Sequence, residues 1–86
     1  MITLKQMTAF VALVETGSFS AAAERVHVTQ PALSQQIEEK ERILGVTLVE
    51  RLPRDIRLTR AGQVALERVR GILAMTHDLA AELRLQ

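Results

Sequence analysis

Residues 29–44, TQPALSQQIEEKERIL, constrain the fold of the chain most strongly. The Thr29 hydroxyl can accept from a free backbone N–H at a helix start, and Pro31 is tolerated in the first turn, where amides lack carbonyl partners. A helix is expected from that point. At helical spacing Leu33, Ile37 and Leu44 fall on an inward side, and Pro31, Ser34, Gln35 and Glu38 cluster opposite. The outward face offers short hydroxyl and amide groups with no long acidic side chain before Glu38. Such groups read base edges in a DNA major groove, although a merely solvated helix has the same composition. The neighbouring segments have to decide between the two.

Upstream, Thr3 and Gln6 have the spacing of a capping box, and Leu4, Met7, Phe10, Val11 and Val14 repeat at three and four. These predict a first helix over about residues 4–16, closed by Gly17. Ser18 or Ser20 can cap a second helix reaching about Val26, whose run Ala21, Ala22 and Ala23 lets another helix approach closely. Only His27 and Val28 separate it from the Thr29 cap. Two short helices about such a joint form a helix-turn-helix pattern, with His27 where a glycine is often found.

After Gly45 the period changes. Residues 47–51 and 56–59 read as short strands about a turn at Leu52, Pro53, Arg54 and Asp55, with Arg54 at the tip and Arg51 and Arg57 on the arms. From Thr59 a helical period runs to the end of the sequence. Ala65, Val69, Ile72, Thr76, Leu79 and Leu83 alternate steps of four and three, the seam of a coiled coil. A helix of about 40 Å outruns a core this small, so its far half needs a partner. Gly71 in its interior costs about 1 kcal/mol relative to alanine, and marks either a weak point or a close approach. The expected architecture is mainly α: a winged helix-turn-helix of three helices and a β-hairpin over residues 1–58, then a linker helix for dimerisation over residues 59–86.

With 86 residues the chain holds one small core. It lacks cysteine, which excludes disulfides, thiolate metal ligands and thiol nucleophiles. No segment is long and apolar enough for a bilayer, so a soluble chain in the cytoplasm, with no membrane partner, is expected. His27 and His77 lie fifty residues apart and no HExxH-like pattern or phosphate-cradling glycine cluster occurs, so neither catalytic nor metal-binding residues are assigned. The net charge of +1 does not by itself announce nucleic acid. Its distribution is more telling: Arg51, Arg54, Arg57 and Arg60 fall close together, downstream of the bunched Glu38, Glu39 and Glu41.

The ordered motifs GSFSAAAERV, TQPALSQQI, LGVTLVER and RLTRAG cover the chain at a spacing that resembles the DNA-binding domain of LysR-type transcriptional regulators. The resemblance implies sequence-specific binding of double-stranded DNA at an interrupted inverted repeat by a homodimer. It implies Gln30, Pro31, Ser34 and Gln35 in the major groove, and Arg51 and Arg54 of the wing, with Arg57 beside them, on phosphates or the minor groove. Thr29 and the Ser18 or Ser20 region would bond phosphates through hydroxyls and helix-end amides. The seam residues Ala65, Val69, Ile72, Leu79 and Leu83 would pair two chains. Full-length members add a domain that senses a small molecule, so no cofactor is expected in this segment, an effector is expected elsewhere, and a tetramer is open to the full-length protein.

Several positions depart from the family pattern. Gln35 replaces a common arginine and suits adenine better than guanine. Lys40 stands at an inward position usually held by leucine, where its stem can lie along apolar surface with the ammonium in water; otherwise it is a local instability or a charge acting at a partner surface. Val49 replaces a phenylalanine, and Leu52 and Pro53 replace small polar residues at the wing tip. A competing reading is a protein-interaction module, favoured by the near-neutral charge. Salt response separates the two, since phosphate binding weakens steeply with salt and an apolar contact does not.

Overall fold

The computed structural model describes residues 2–85. Met1 and Gln86, the outer limits of the two expected portions, lie outside them. Four helices and one hairpin follow in the order α1 (Leu4–Thr16), α2 (Phe19–Arg25), α3 (Gln30–Leu44), β1 (Val49–Leu52), β2 (Asp55–Leu58) and α4 (Arg60–Arg84). The architecture is the expected winged helix-turn-helix with a long last helix.

Local chemistry sets the boundaries. The Thr3 and Gln6 side chains exchange bonds with backbone N–H groups to start α1, and Gly17 ends it at φ 69°. Ser18, not Ser20, caps α2, its Oγ accepting from the Ala21 amide. Thr29 caps α3 in the same way through the Ala32 amide, and Thr59 caps α4 through Gly62. Between α2 and α3 the backbone must reverse within four residues, and His27 does so at φ 60°. It is the only non-glycine residue among those described to enter the left-handed region.

The core gathers Ala9, Phe10, Ala12 and Leu13 of α1, Ala22 and Ala23 of α2, Leu33 and Ile37 of α3, and Leu48 and Val49. Leu13 and Leu33 are wholly enclosed. The buried arc of α1 is broader than the expected stripe and turned toward Ala9, Ala12 and Leu13, because α1 packs against α2, α3 and α4 together. Leu4, expected within that stripe, is exposed, and so is Leu44 at the end of α3, where it edges an open groove beside Met7 and Phe10. Ala21 likewise points outward, leaving Ala22 and Ala23 to make the close helix approach.

The hairpin is tighter than expected. Leu52 pairs with Asp55 and Val49 with Leu58, so Pro53 and Arg54 alone form the turn. Thr59, placed by the sequence reading in a strand, leaves the ladder to cap α4, and its hydroxyl also bonds the Thr47 carbonyl. Glu41, read only as part of an acidic run, reaches from α3 to accept from the Leu48 amide at 2.7 Å and the Val49 amide at 3.2 Å. It satisfies donors at the entrance to β1 that would otherwise lack partners. Glu41→Ala is expected to cost about 1–3 kcal/mol in chemical denaturation, more than an exposed glutamate would, because two partly buried amides lose their acceptor. A change within a few tenths of a kcal/mol would show the bonds to be dispensable.

Through Ala61, Gly62, Ala65 and Leu66 the first turns of α4 pack on the core. Its 25 residues span about 37 Å, and Met75, Leu79 and Leu83 lie exposed along the part that extends past the body. Gly71 faces open space: a Cβ there would meet nothing within 4 Å. The weak-point alternative therefore applies within this chain. Lys40 is half-buried and lines an apolar groove with Met7, Phe10, Ile37, Leu44 and Val69, so its stem lies along apolar surface, the first of its three expected readings.

Candidate nucleic-acid interface

Helix α3 presents a face opposite the buried Leu33 and Ile37, and the residues singled out from the sequence divide there by accessibility. Pro31 and Gln35 are exposed, Ser34 is half-buried on the flank of that face, and Gln30, three and seven residues before Leu33 and Ile37, is half-buried in the first turn on their side. The side-chain amides of Gln30 and Gln35 form no hydrogen bond among the described residues, so their donors and acceptors remain available. Thr29 and Ser18 each use an oxygen lone pair on a cap, which leaves the hydroxyl proton to donate outward. Ser20 is exposed at the second position of α2.

The wing lies beside α2 and α3. Register places Val49, Arg51, Ile56 and Leu58 on the face toward the body, and Glu50 and Arg57 on the other. Val49 is buried and Leu58 half-buried, which fixes that orientation. Arg51 consequently reaches inward over α3. Its Nη2 donates to Ser34 Oγ at 2.6 Å and to Glu38 Oε1 at 2.9 Å, and its Cζ lies 4.1 Å from the centre of the Phe19 ring. Nε and Nη1 have no partner among the described residues, so the guanidinium retains donors for an outside group. Arg54 at the tip is exposed and forms no ion pair among the described residues. Arg57 donates to Glu50 across the strands at 2.7 Å; that hydrogen bond, with the carboxylate charge, raises its already high pKa.

The acidic run of α3 is largely engaged. Glu38 meets Arg51, Glu39 lies 4.0 Å from Arg42, and Glu41 serves the β1 amides. Repulsion of a phosphate backbone is thereby reduced near the wing, where Glu38 faces a cation. Elsewhere Glu15 joins Arg25 at 2.6 Å and Arg70 at 3.7 Å, tying the surfaces of α1, α2 and α4 together. Among the seam residues, Ala65 is half-buried against its own core and Val69 lines the groove, whereas Ile72, Leu79 and Leu83 are 39%, 57% and 63% exposed. Met75, outside the expected seam, is 71% exposed on the same stretch.

Phe19 and Glu38 were not assigned a role with Arg51 from the sequence, because they stand 32 and 13 residues before it and no periodicity links them. The motif GSFS put an aromatic at the start of α2, yet only the fold brings the wing over its ring. No group of three or more histidine or acidic side chains able to hold a metal occurs among the described residues. No helix there is long and apolar enough to cross a membrane.

Comparison with known proteins supplies the affiliation. Residues 4–63 match the family described as bacterial regulatory helix-turn-helix protein, lysR family. An uncharacterized HTH-type transcriptional regulator in the ibpB-leuC intergenic region of Azotobacter vinelandii is 49% identical over 75 residues, covering 87% of this chain and 52% of that protein. The HTH-type transcriptional regulator TfdT of Cupriavidus pinatubonensis is 44% identical over 72 residues, covering 84% of this chain and 32% of TfdT. The chain thus spans about half, or less, of these relatives. In a crystal structure of the CbnR DNA-binding domain with DNA, the similar chain is 39% identical with a TM-score of 0.86, covering 98% of this chain and 97% of that one. The BenM DNA-binding domain with benA site 1 DNA has a TM-score of 0.88 at 31% identity, over 96% of this chain and 93% of that one. With the family match spanning most of its length, the chain belongs to the lysR family of bacterial regulatory helix-turn-helix proteins.

Proposed function

We infer that this chain is the DNA-binding part of a LysR-type transcriptional regulator in the cytoplasm and that it reads an interrupted inverted repeat as a homodimer. The observation that carries this is α3: a polar, acid-free first half whose Gln30 and Gln35 amides are uncommitted, flanked by a wing with an exposed arginine at its tip. The similarity to DNA-bound CbnR and BenM domains supports the same reading. Gln30, Pro31, Ser34 and Gln35 face base edges in the major groove. Ser18, Ser20 and Thr29 donate hydroxyl protons to phosphates, with Arg51, Arg54 and Arg57 supplying charge from the wing. The positive end of the α3 dipole favours the same orientation, with only the first turns entering deeply.

Two-fold symmetry then demands matching half-sites spaced by the dimer. Ile72, Leu79 and Leu83 are the seam residues available to a second copy, with Val69 at its inner end. A further domain binding a small-molecule effector, and a tetrameric full-length assembly, complete the proposal; this segment requires no cofactor and has no assigned catalytic residue.

Selection from a random duplex library at low and near-physiological salt tests the reading. An interrupted palindrome is expected, and Gln30→Ala is expected to alter preference at one base pair of each half-site. Equal weakening on all sequences would take Gln30 off the base edges, and absence of binding at both salts would favour a protein-interaction module. Arg54→Ala is expected to lower affinity for every duplex and to flatten the plot of log affinity against log salt by about one unit. An unchanged slope would remove Arg54 from the phosphate contacts.

A further inference from the structure

We propose that Arg51 is a positioning residue for base reading: it fixes the hydrogen-bond polarity of Ser34, so that this serine meets the base edge as a hydroxyl donor and selects a base presenting an acceptor. The inference rests on the DNA-reading function above and assigns a specificity role within it.

A serine hydroxyl is ordinarily ambivalent, because it rotates to donate or accept as its partner requires. Here that freedom is restricted. Arg51 Nη2 donates to Ser34 Oγ at 2.6 Å, a short, charge-assisted bond that occupies one lone pair. Ser34 Oγ forms no other hydrogen bond among the described residues; in particular it does not donate back to the carbonyl four residues earlier, as Thr8 and Thr16 do on α1. The proton is thus uncommitted, and the adjacent guanidinium charge turns the positive end of the O–H dipole away from itself, toward the open face. Accepting from a base amino group would place a second donor on an oxygen already facing a cation. Donation to a base acceptor is favoured for both reasons.

Arg51 is held for this task on two further sides. Glu38 Oε1 accepts from the same nitrogen at 2.9 Å, and the Phe19 ring lies under Cζ at 4.1 Å. Helix α2, helix α3 and strand β1 therefore converge on one guanidinium. In the major groove guanine offers O6 and N7, thymine offers O4, and cytosine offers only the N4 amino donor. Cytosine facing Ser34 is the base that this polarity rejects.

The test compares base preferences of the parent, Ser34→Ala, Arg51→Met and the double variant on duplexes drawn from a random library, with the salt slope measured in parallel. Ser34→Ala locates the base pair that Ser34 reads. Arg51→Met is expected to reduce discrimination at that same pair roughly tenfold, while the pair lost in Gln30→Ala stays sharp. In the Ser34→Ala background Arg51→Met should add no further change at that pair. Equal loss on all sequences, with a salt slope flatter by about one, would make Arg51 a phosphate contact only and overturn the proposal. Should Arg51→Met fail to fold, Phe19→Leu keeps the charge but removes the platform; relaxation at the Ser34 pair with an unchanged salt slope supports the proposal, and an unaltered preference overturns it. A parent domain that binds DNA without selecting any motif overturns the base-reading function itself, and this role with it.

Discussion

Replacing Leu79 and Leu83 together by aspartate is expected to yield a folded monomer that binds its palindrome at least about 100-fold more weakly, while an isolated half-site is bound nearly as before. Both side chains are more than half exposed and lie far along α4, outside the core formed by α1, α2, α3 and the start of the hairpin. Four new carboxylates in a two-fold seam would be desolvated without cationic partners, at a cost that an interface of this size does not recover. Folding of the body should be indifferent, because neither residue belongs to the core or to the side chains packed on it. The loss on the palindrome follows from linkage: two half-sites held by one dimer gain roughly 10²–10⁴ over either alone, and a monomer forfeits that gain. Sedimentation measures the oligomer and titration on whole and half operators measures the affinity. A variant that sediments as a dimer would place the interface elsewhere, with the exposed Ile43, Leu44 and Val46 the next surface to test. Val69 is the poorer target, since it lines the groove within its own domain and an aspartate there would confound folding with assembly.

Much of this architecture is legible in the sequence because its signals are local. Thr3 with Gln6, Ser18 and Thr29 are caps whose partners lie three residues away, so the starts of α1, α2 and α3 can be read without the fold. Gly17 and Gly45 end α1 and α3 for the same reason, each in the left-handed conformation at φ 69° and 71°. What the spacing does not carry is contact between distant segments. The Arg51 cluster joins positions 19, 34, 38 and 51, and periodicity within any one element is silent about it. Glu41 reads as one more solvated acid in a charged run until the fold brings β1 beneath it. The α1 stripe was displaced by a related effect: alanines at 9 and 12 are weakly hydrophobic by type, yet three neighbouring helices enclose them. Thr59 reads as a strand residue by propensity, and the need to cap a helix of 25 residues prevails.

Gly62→Ala offers the sharpest contrast between propensity and packing. Gly62 is the third residue of α4, and helix propensity favours alanine over glycine, by about 1 kcal/mol in an interior, so propensity alone makes this a stabilising change. In the fold a Cβ at Gly62 would stand 2.1 Å from the Leu48 carbonyl oxygen and 3.0 Å from Leu58 Cδ2. The leucine methyl can turn aside. The carbonyl is backbone, and it accepts from the Thr59 amide at 3.0 Å and from the Thr59 hydroxyl at 3.2 Å, the bonds that seat α4 against the entrance to β1. Relief of the clash must move α4 away from Leu48, breaking both bonds and opening the contact of Ala61, Ala65 and Leu66 with the core. Overpacking of this kind costs typically 1–3 kcal/mol, and with an immovable backbone partner the cost is expected at about 3 kcal/mol or above. For a domain of this length that corresponds to a fall in Tm of roughly 15 °C or more. Gly71→Ala is the matched control on the same helix, where open space leaves only the propensity term and a gain of about 1 kcal/mol. Thermal and urea denaturation of the two variants should move in opposite directions. A Gly62→Ala domain as stable as its parent would mean that α4 can shift on the body without cost, and that the wing and α4 are not rigidly coupled through Leu48.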